Sequence, residues 1–148
     1  MAILDQVFVV GQRLNQLVDT TLRGTPLDHF DFALYGALVR SGPLTASELA
    51  DRLAVPRTTV LDRLRAIEAR GDLRRLPHPS DGRAHHLDLT ARGRKAWRST
   101  DAVWEPMRRL FEAHLTNTAA VAEVLRELDV AALETEAKVR RRRRRAAS

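Results

Sequence analysis

The polar side chains of this 148-residue chain are spaced for hydrogen bonding and charge pairing rather than for bond making. Arg57, Thr58, Thr59, Leu61, Asp62 and Arg65 crowd into one short segment, and Asp81-Gly82-Arg83 follows further along. An arginine presents a rigid fork of donors to phosphate or guanine, and a threonine presents a short donor. An aspartate accepts from cytosine N4, while a leucine can cover a thymine methyl. That set suits a surface meeting a duplex nucleic acid. No nucleophile motif, phosphate-cradling glycine loop or pair of acids accompanies it, so no enzymatic activity, catalytic residue or cofactor is expected. His78, His85 and His86 cluster nearby. Strand alternation would put His85 and His86 on opposite faces, and no cysteine or suitably spaced carboxylate completes a ligand set, so no metal is expected either.

Charge supports this reading only after it is divided along the chain. The net +6 equals the contribution of Arg140 to Arg145, six consecutive arginines; residues 1–139 hold 19 basic and 19 acidic side chains. Within them, residues 56–98 carry eleven basic and five acidic side chains, a local +6, whereas residues 1–55 sum to −2 and residues 99–139 to −4. A basic middle in an acidic frame concentrates the attraction for a polyanion on one third of the chain. The absence of cysteine excludes disulfides and thiol redox chemistry. The opening Met1-Ala2-Ile3-Leu4-Asp5 lacks a basic leader, and no apolar run approaches the roughly 18 residues of a membrane span. A soluble cytoplasmic protein without membrane contact is expected.

These residues need elements to hold them. Ile3, Val7, Val10, Leu14 and Leu17 step by four and three, the seam of an amphipathic helix ending near Gly24. A second helix is expected from an Asp28 cap to Arg40, burying Phe30, Ala33, Leu34, Ala37 and Leu38. Thr45-Ala46-Ser47-Glu48 is a capping box that starts a third helix, and Pro56 suits the first position of a fourth, about residues 56–70, with Gly71 beyond it. At about 100° per residue, Val60, Leu64 and Ile67 share the core side of that helix. Thr58, Asp62, Arg65 and Ala69 point away, flanked by Thr59 and Leu61. The pattern then alternates: Leu73, Leu76, Leu87 and Leu89 inward, Arg74, Arg75 and Asp88 outward, making a wing over about residues 72–90 with Ser80 to Arg83 at its tip. Thr90 caps a long helix to about Leu115, kinked or restarted at Pro106. A last helix from Thr116 or Asn117 fades into the arginines. Trp97 and Trp104 lie seven apart on one face, and with His29 and Tyr35 are read either as packing residues or as walls of a ligand pocket.

At this point the sequence resembles the multiple-antibiotic-resistance regulator (MarR) family of winged-helix repressors over nearly its whole length. The resemblance rests on Leu49-Ala50-Asp51-Arg52-Leu53-Ala54-Val55-Pro56-Arg57-Thr58-Thr59-Val60, on Glu68-Ala69-Arg70-Gly71, and on Asp81-Gly82-Arg83 followed by Leu89-Thr90 and Gly93-Arg94. It implies a mainly α (α+β) fold: a winged helix-turn-helix lobe with a two- to three-stranded wing, flanked by N- and C-terminal helices that intertwine in a homodimer. The implied divisions are a dimerisation helix at 1–24, the DNA-binding lobe at 28–90, dimerisation helices at 91–139 and a basic tail at 140–148. The implied activity is repression by binding double-stranded DNA at a near-palindromic operator, with release by a small phenolic or anionic aromatic effector. Residue by residue, Arg57, Thr58, Thr59, Leu61, Asp62 and Arg65 would meet the major groove. Arg83 would enter the minor groove, oriented by Asp81. His29, Tyr35 and Trp97 would line the effector pocket.

One departure stands out, since many relatives place a polar and then a basic residue where this chain has Leu61-Asp62. Asp62 either reads a cytosine or pairs with Arg65 and tunes it. The arginine tail is either a flexible, nonspecific DNA arm or a solvated terminus that lengthens or frays the last helix. Two other functions fit the same fold: a winged-helix protein-interaction module, and a ligand-insensitive architectural DNA binder.

Overall fold

Side-chain caps set where the helices of this chain begin. The computed structural model describes residues 1–77, 80 and 85–146, in two units, Met1–Met107 and Arg108–Ser148. Helix α1 (Ile3–Leu22) opens where the Ala2 amide donates to Asp5. In α2 (His29–Ser41) the Asp28 carboxylate accepts from the Asp31 amide at 2.9 Å, as expected for a cap. Helix α3 (Ala46–Leu53) has the full capping box: the Thr45 hydroxyl accepts from the Glu48 amide and Glu48 accepts from the Thr45 amide. This reciprocal arrangement satisfies two donors that a bare helix end leaves open.

A tight turn follows, with Ala54 in the left-handed region at φ 52° and its amide donating to the carbonyls of Ala50 and Asp51. Helix α4 (Arg57–Ala69) then starts one residue later than expected. Pro56 caps it from an extended conformation, its carbonyl accepting from Thr59 and Val60, so the ring lies just before the first turn rather than in it. The far end closes with Gly71 at φ 75°: its amide bonds the Glu68 carbonyl while the Asp72 amide bonds that of Ile67. That double bond pattern needs a left-handed residue, which glycine adopts without steric cost.

Strands β1 (Leu73–Pro77) and β2 (His85–Leu89) pair antiparallel, Leu73 opposite Leu89 and Arg74 opposite Asp88. Leu44, just before α3, adds an isolated bridge to Leu87 through two backbone bonds of 3.2 and 2.8 Å, a minimal third strand. His78, Pro79, Asp81, Gly82, Arg83 and Ala84 lie outside the described residues, so the wing tip and its Asp81–Arg83 pair are not placed. Of the remaining histidines, His85 is exposed and His86 half-buried, and among the described residues no group of acids and histidines is arranged to hold a metal.

The core of the first unit joins Leu34, Tyr35 and Leu38 of α2, Leu49 of α3, Val60, Leu64 and Ile67 of α4, and Leu73, Leu87 and Leu89 of the sheet. Two expectations are corrected here. Phe32, not Phe30, is the buried phenylalanine of α2; Phe30 is half-buried, with the Arg63 guanidinium 5.5 Å from its ring centre. The cap at Asp28 fixes the helical phase so that positions 31, 34, 35 and 38 turn inward. Asp88 is also inside, only 4% exposed, because two arginines enclose it.

Helix α5 (Ala91–Ala113) runs on across Pro106, so of the two outcomes expected there, a kink or a restart, it shows no restart. Pro106 and Ala102, whose carbonyl loses its donor, are both exposed, so solvent can take over that lost bond. In the second unit, Asn117 caps α6 (Thr118–Ala146) through the Ala120 amide at 3.0 Å. This helix does not fade at residue 139. It carries on through all six arginines, and none of its residues is buried.

Candidate nucleic-acid interface

Helix α4 is two-sided. Val60, Leu64 and Ile67 are at most 1% exposed, whereas Arg57, Thr58, Thr59, Asp62, Arg65 and Ala69 are all exposed. Leu61 sits between them, half-buried against the core, so only part of it is presented outward. Periodicity alone therefore placed the two faces. Asp62 accepts from Arg65 at 3.1 Å on the exposed side, with more than 70% of each side chain exposed, which is the pairing alternative of the two set out for this residue. The structure brings the six α4 residues onto one surface; Asp81 and Arg83 lie outside the described residues.

What holds that surface in place is a set of buried acids that the sequence did not reveal. Asp31 on α2 takes one arginine from α4 and one from its C-cap: Arg70, the cap, donates to it at 2.6 Å, and Arg63 approaches its other oxygen at 3.2 Å while also pairing with Asp28. Asp72, at the corner between α4 and β1, accepts from the Tyr35 hydroxyl at 2.9 Å and lies within ion-pair reach of Arg70 at 3.5 Å and of Arg92 on α5 at 3.1 Å. Neither Asp31 Oδ1 nor Asp72 Oδ1 receives a well-directed hydrogen bond, so the second arginine in each case neutralises charge without ideal geometry. Asp88 on β2 completes the group, accepting from Arg74 at 2.7 Å and Arg94 at 2.6 Å. On the other flank Arg75 of β1 grips Glu68 of α4 with two bonds of 2.5 and 2.9 Å.

The electrostatics follow. Burial pushes the Tyr35 phenol well above its ordinary value of 10, and the bond to Asp72 adds to this while Arg70 works against it. Burial alone would lower the Arg70 guanidinium, but its bonds to Tyr35 and Asp31 outweigh that and raise it. The bidentate contact with Glu68 raises Arg75 in the same way, against a smaller opposing effect of burial. A buried acid with one missing partner is costly, so each double pairing fixes the relative placement of two or more elements. Chemically this is a rigid presenter of donors and one acceptor.

A second clamp lies where the wing meets α5. The Thr90 hydroxyl donates to the Gly71 carbonyl at 2.8 Å and accepts from the Gly93 amide, and the Thr90 amide donates to the Asp72 carbonyl. Gly93 packs so closely that a Cβ there would stand 2.2 Å from the Asp72 carbonyl oxygen.

The residues expected around a ligand are held by different partners. Tyr35 is fully buried with its hydroxyl engaged by Asp72 and Arg70. Trp97 stacks on Phe32 at 6.2 Å between ring centres, next to Trp104 at 5.5 Å from the same ring, and its buried indole N–H has no acceptor among the described residues. His29 is exposed and lines a depression of about 310 Å³ with Asp19, Leu22, Arg23, Thr25, Leu27 and Asp28.

The comparisons with known proteins agree with this architecture. The profile of the sugar-specific transcriptional regulator TrmB family matches residues 23–81, the segment from the end of α1 to the wing. No curated protein sequence matches the chain. Among solved structures, the Mycobacterium tuberculosis transcriptional regulator MosR in complex with DNA is 26% identical, covers 91% of this chain and 98% of its own, and superposes with a TM-score of 0.79. The Streptomyces coelicolor regulator PcaV in complex with its natural ligand is 24% identical over 86% of this chain and 91% of its own, with a TM-score of 0.75. MarR from Escherichia coli, in its apo form, is 20% identical over 88% of this chain and 97% of its own, with a TM-score of 0.68. These are transcriptional regulators, a class without enzymatic activity. No helix among the described residues is long and apolar enough to cross a membrane. In fold, the chain is a winged helix-turn-helix protein of the MarR type.

Proposed function

We propose that this protein is a homodimeric, sequence-specific double-stranded-DNA-binding transcriptional repressor that works in the cytoplasm and is released from its operator by a small phenolic or anionic aromatic effector. The observation that carries the reading is the outer face of α4. Arg57, Thr58, Thr59, Asp62 and Arg65 are exposed together, while the opposite face and both flanks of the helix are locked to α2, β1 and the core. A helix so fixed can enter a major groove without losing its orientation. Thr58 and Thr59 near its N-terminus suit phosphate or base edges, and the helix end adds positive potential. Arg65, tuned by Asp62, and the exposed part of Leu61 would read bases. Arg83 at the wing tip would enter the neighbouring minor groove with Asp81 orienting it, and would respond to groove width.

Dimerisation is supported by the apolar seam of α1: Ile3, Val7, Val10, Leu14 and Leu17 are 37–65% exposed. A row of large apolar side chains at helical spacing is a surface that a second copy can cover. For the effector, the depression beside His29 is of ligand size, and the Trp97 indole supplies a buried donor lacking an acceptor among the described residues. Titration of a cognate duplex at fixed salt tests the groove assignment. Arg83→Ala should weaken binding by about 1–3 kcal/mol, the scale of a good groove contact, with unchanged thermal stability. Unaltered affinity would remove the wing from the interface.

A further inference from the structure

Helix α6 divides into two electrically opposite halves. From Thr118 to Val139 it carries five acids and two basic residues; from Arg140 to Arg145 every residue is an arginine, all exposed and all still helical. At about 1.5 Å of rise and 100° of rotation per residue, six side chains fan around the whole circumference within roughly 9 Å. Such a segment has no apolar face with which to dock on a core. Within the helix Arg140 pairs with Glu136 at 2.6 Å, and in sequence no acid stands three or four positions before any of Arg141 to Arg145. Like charges at those spacings repel one another, and a polyanion relieves that repulsion.

The charge density selects the kind of polyanion. Duplex DNA carries one negative charge per roughly 1.7 Å of axis, close to the one positive charge per roughly 1.5 Å along this helix. The cations are arginine throughout, whose planar fork takes two oxygens of one phosphate at once. A membrane-surface helix would instead need an apolar face beside the basic one, which residues 140–145 lack. We propose that the arginine segment of α6 is a second DNA contact, a sequence-independent arm that grips the phosphate backbone apart from the winged lobe. This rests on the reading of the protein as a duplex-DNA binder, and it adds to that reading a site that supplies affinity without base recognition.

The test compares the full chain with a variant in which Arg140 to Arg145 are all changed to glutamine, a residue that keeps helix propensity but removes the charge. Circular dichroism establishes that both are folded. Each is titrated across a salt series against a duplex selected from a random pool by the full chain and against a scrambled duplex of equal length. The slope of log Kd against log salt should shrink, by at most about 5 per chain for six arginines at roughly 0.9 per released phosphate contact, and by the same amount on both duplexes. The ratio of the two affinities should stay constant. Equal slopes for variant and full chain would overturn the arm, and so would a loss confined to the selected duplex. Loss of binding to phosphatidylserine vesicles with DNA slopes unchanged would also overturn it, assigning the arginines to a lipid surface. If the full chain binds both duplexes equally, base reading by the winged lobe fails while the slope difference still decides the arm.

Discussion

Asp31, Asp72 and Asp88 are each at most 4% exposed, and each meets two arginines. Removing a carboxylate from water is unfavourable by several kcal/mol unless charge and hydrogen bonds replace the solvent, so these acids fix where Arg63, Arg70, Arg74, Arg92 and Arg94 must stand. Tyr35 closes the Asp72 end of the group. It is the sole tyrosine of the chain, which makes it its own reporter. Its folded-state pKa lies above the ordinary value of 10. Below pH 10 the phenol is neutral in folded and unfolded chains alike and its contribution to stability is complete. Above pH 10 the unfolded chain ionises while the folded one resists, so stability falls as pH rises. In an alkaline titration the phenolate absorbance should therefore appear together with loss of the helical circular dichroism signal. A separate phenolate step at the ordinary value, with helix intact, would show that the network is open. None of this was legible in the sequence. Alternation treats an acid as an outward residue, and the partners of Asp88 come from Arg74 across the sheet and Arg94 on α5, contacts that local spacing does not encode.

Elements were legible where a side chain marks their ends. The Asp28 cap, the Thr45–Glu48 box, Gly71 and the two faces of α4 all follow from local rules, and the structure places them accordingly. Where local rules left alternatives open, solvent exposure and propensity decided between them. Pro106 sits inside α5 on an exposed face that tolerates the lost bond, and the arginine run stays helical because arginine is a good helix former with its charge near the favourable end of the dipole. A close junction in the winged unit was hidden as well: Gly93 is invisible as a packing residue until the Asp72 carbonyl is seen against it. Replacing Gly93 with alanine should force α5 away from the corner between α4 and β1 and lower stability by about 1–3 kcal/mol, the usual range for overpacking. Chemical denaturation measures this. A midpoint equal to that of the parent protein would mean the junction can relax at no cost.

At the scale of the whole molecule, the described chain leaves apolar helix faces uncovered, and the proposal gives them to a second copy. Leu14→Asp in the α1 seam should shift the protein from dimer to monomer in sedimentation or light scattering and weaken operator binding, because a single lobe reads only one half-site. A variant that remains dimeric would move the interface elsewhere. The central claim is that two copies of the α4 face read a duplex in register. Affinity selection of duplexes from a random pool by the full chain tests it most directly. The account predicts an enriched near-palindrome whose half-sites lie about one helical turn, roughly 34 Å, apart. A pool that emerges without any preferred sequence, or with one lacking two-fold symmetry, would contradict it.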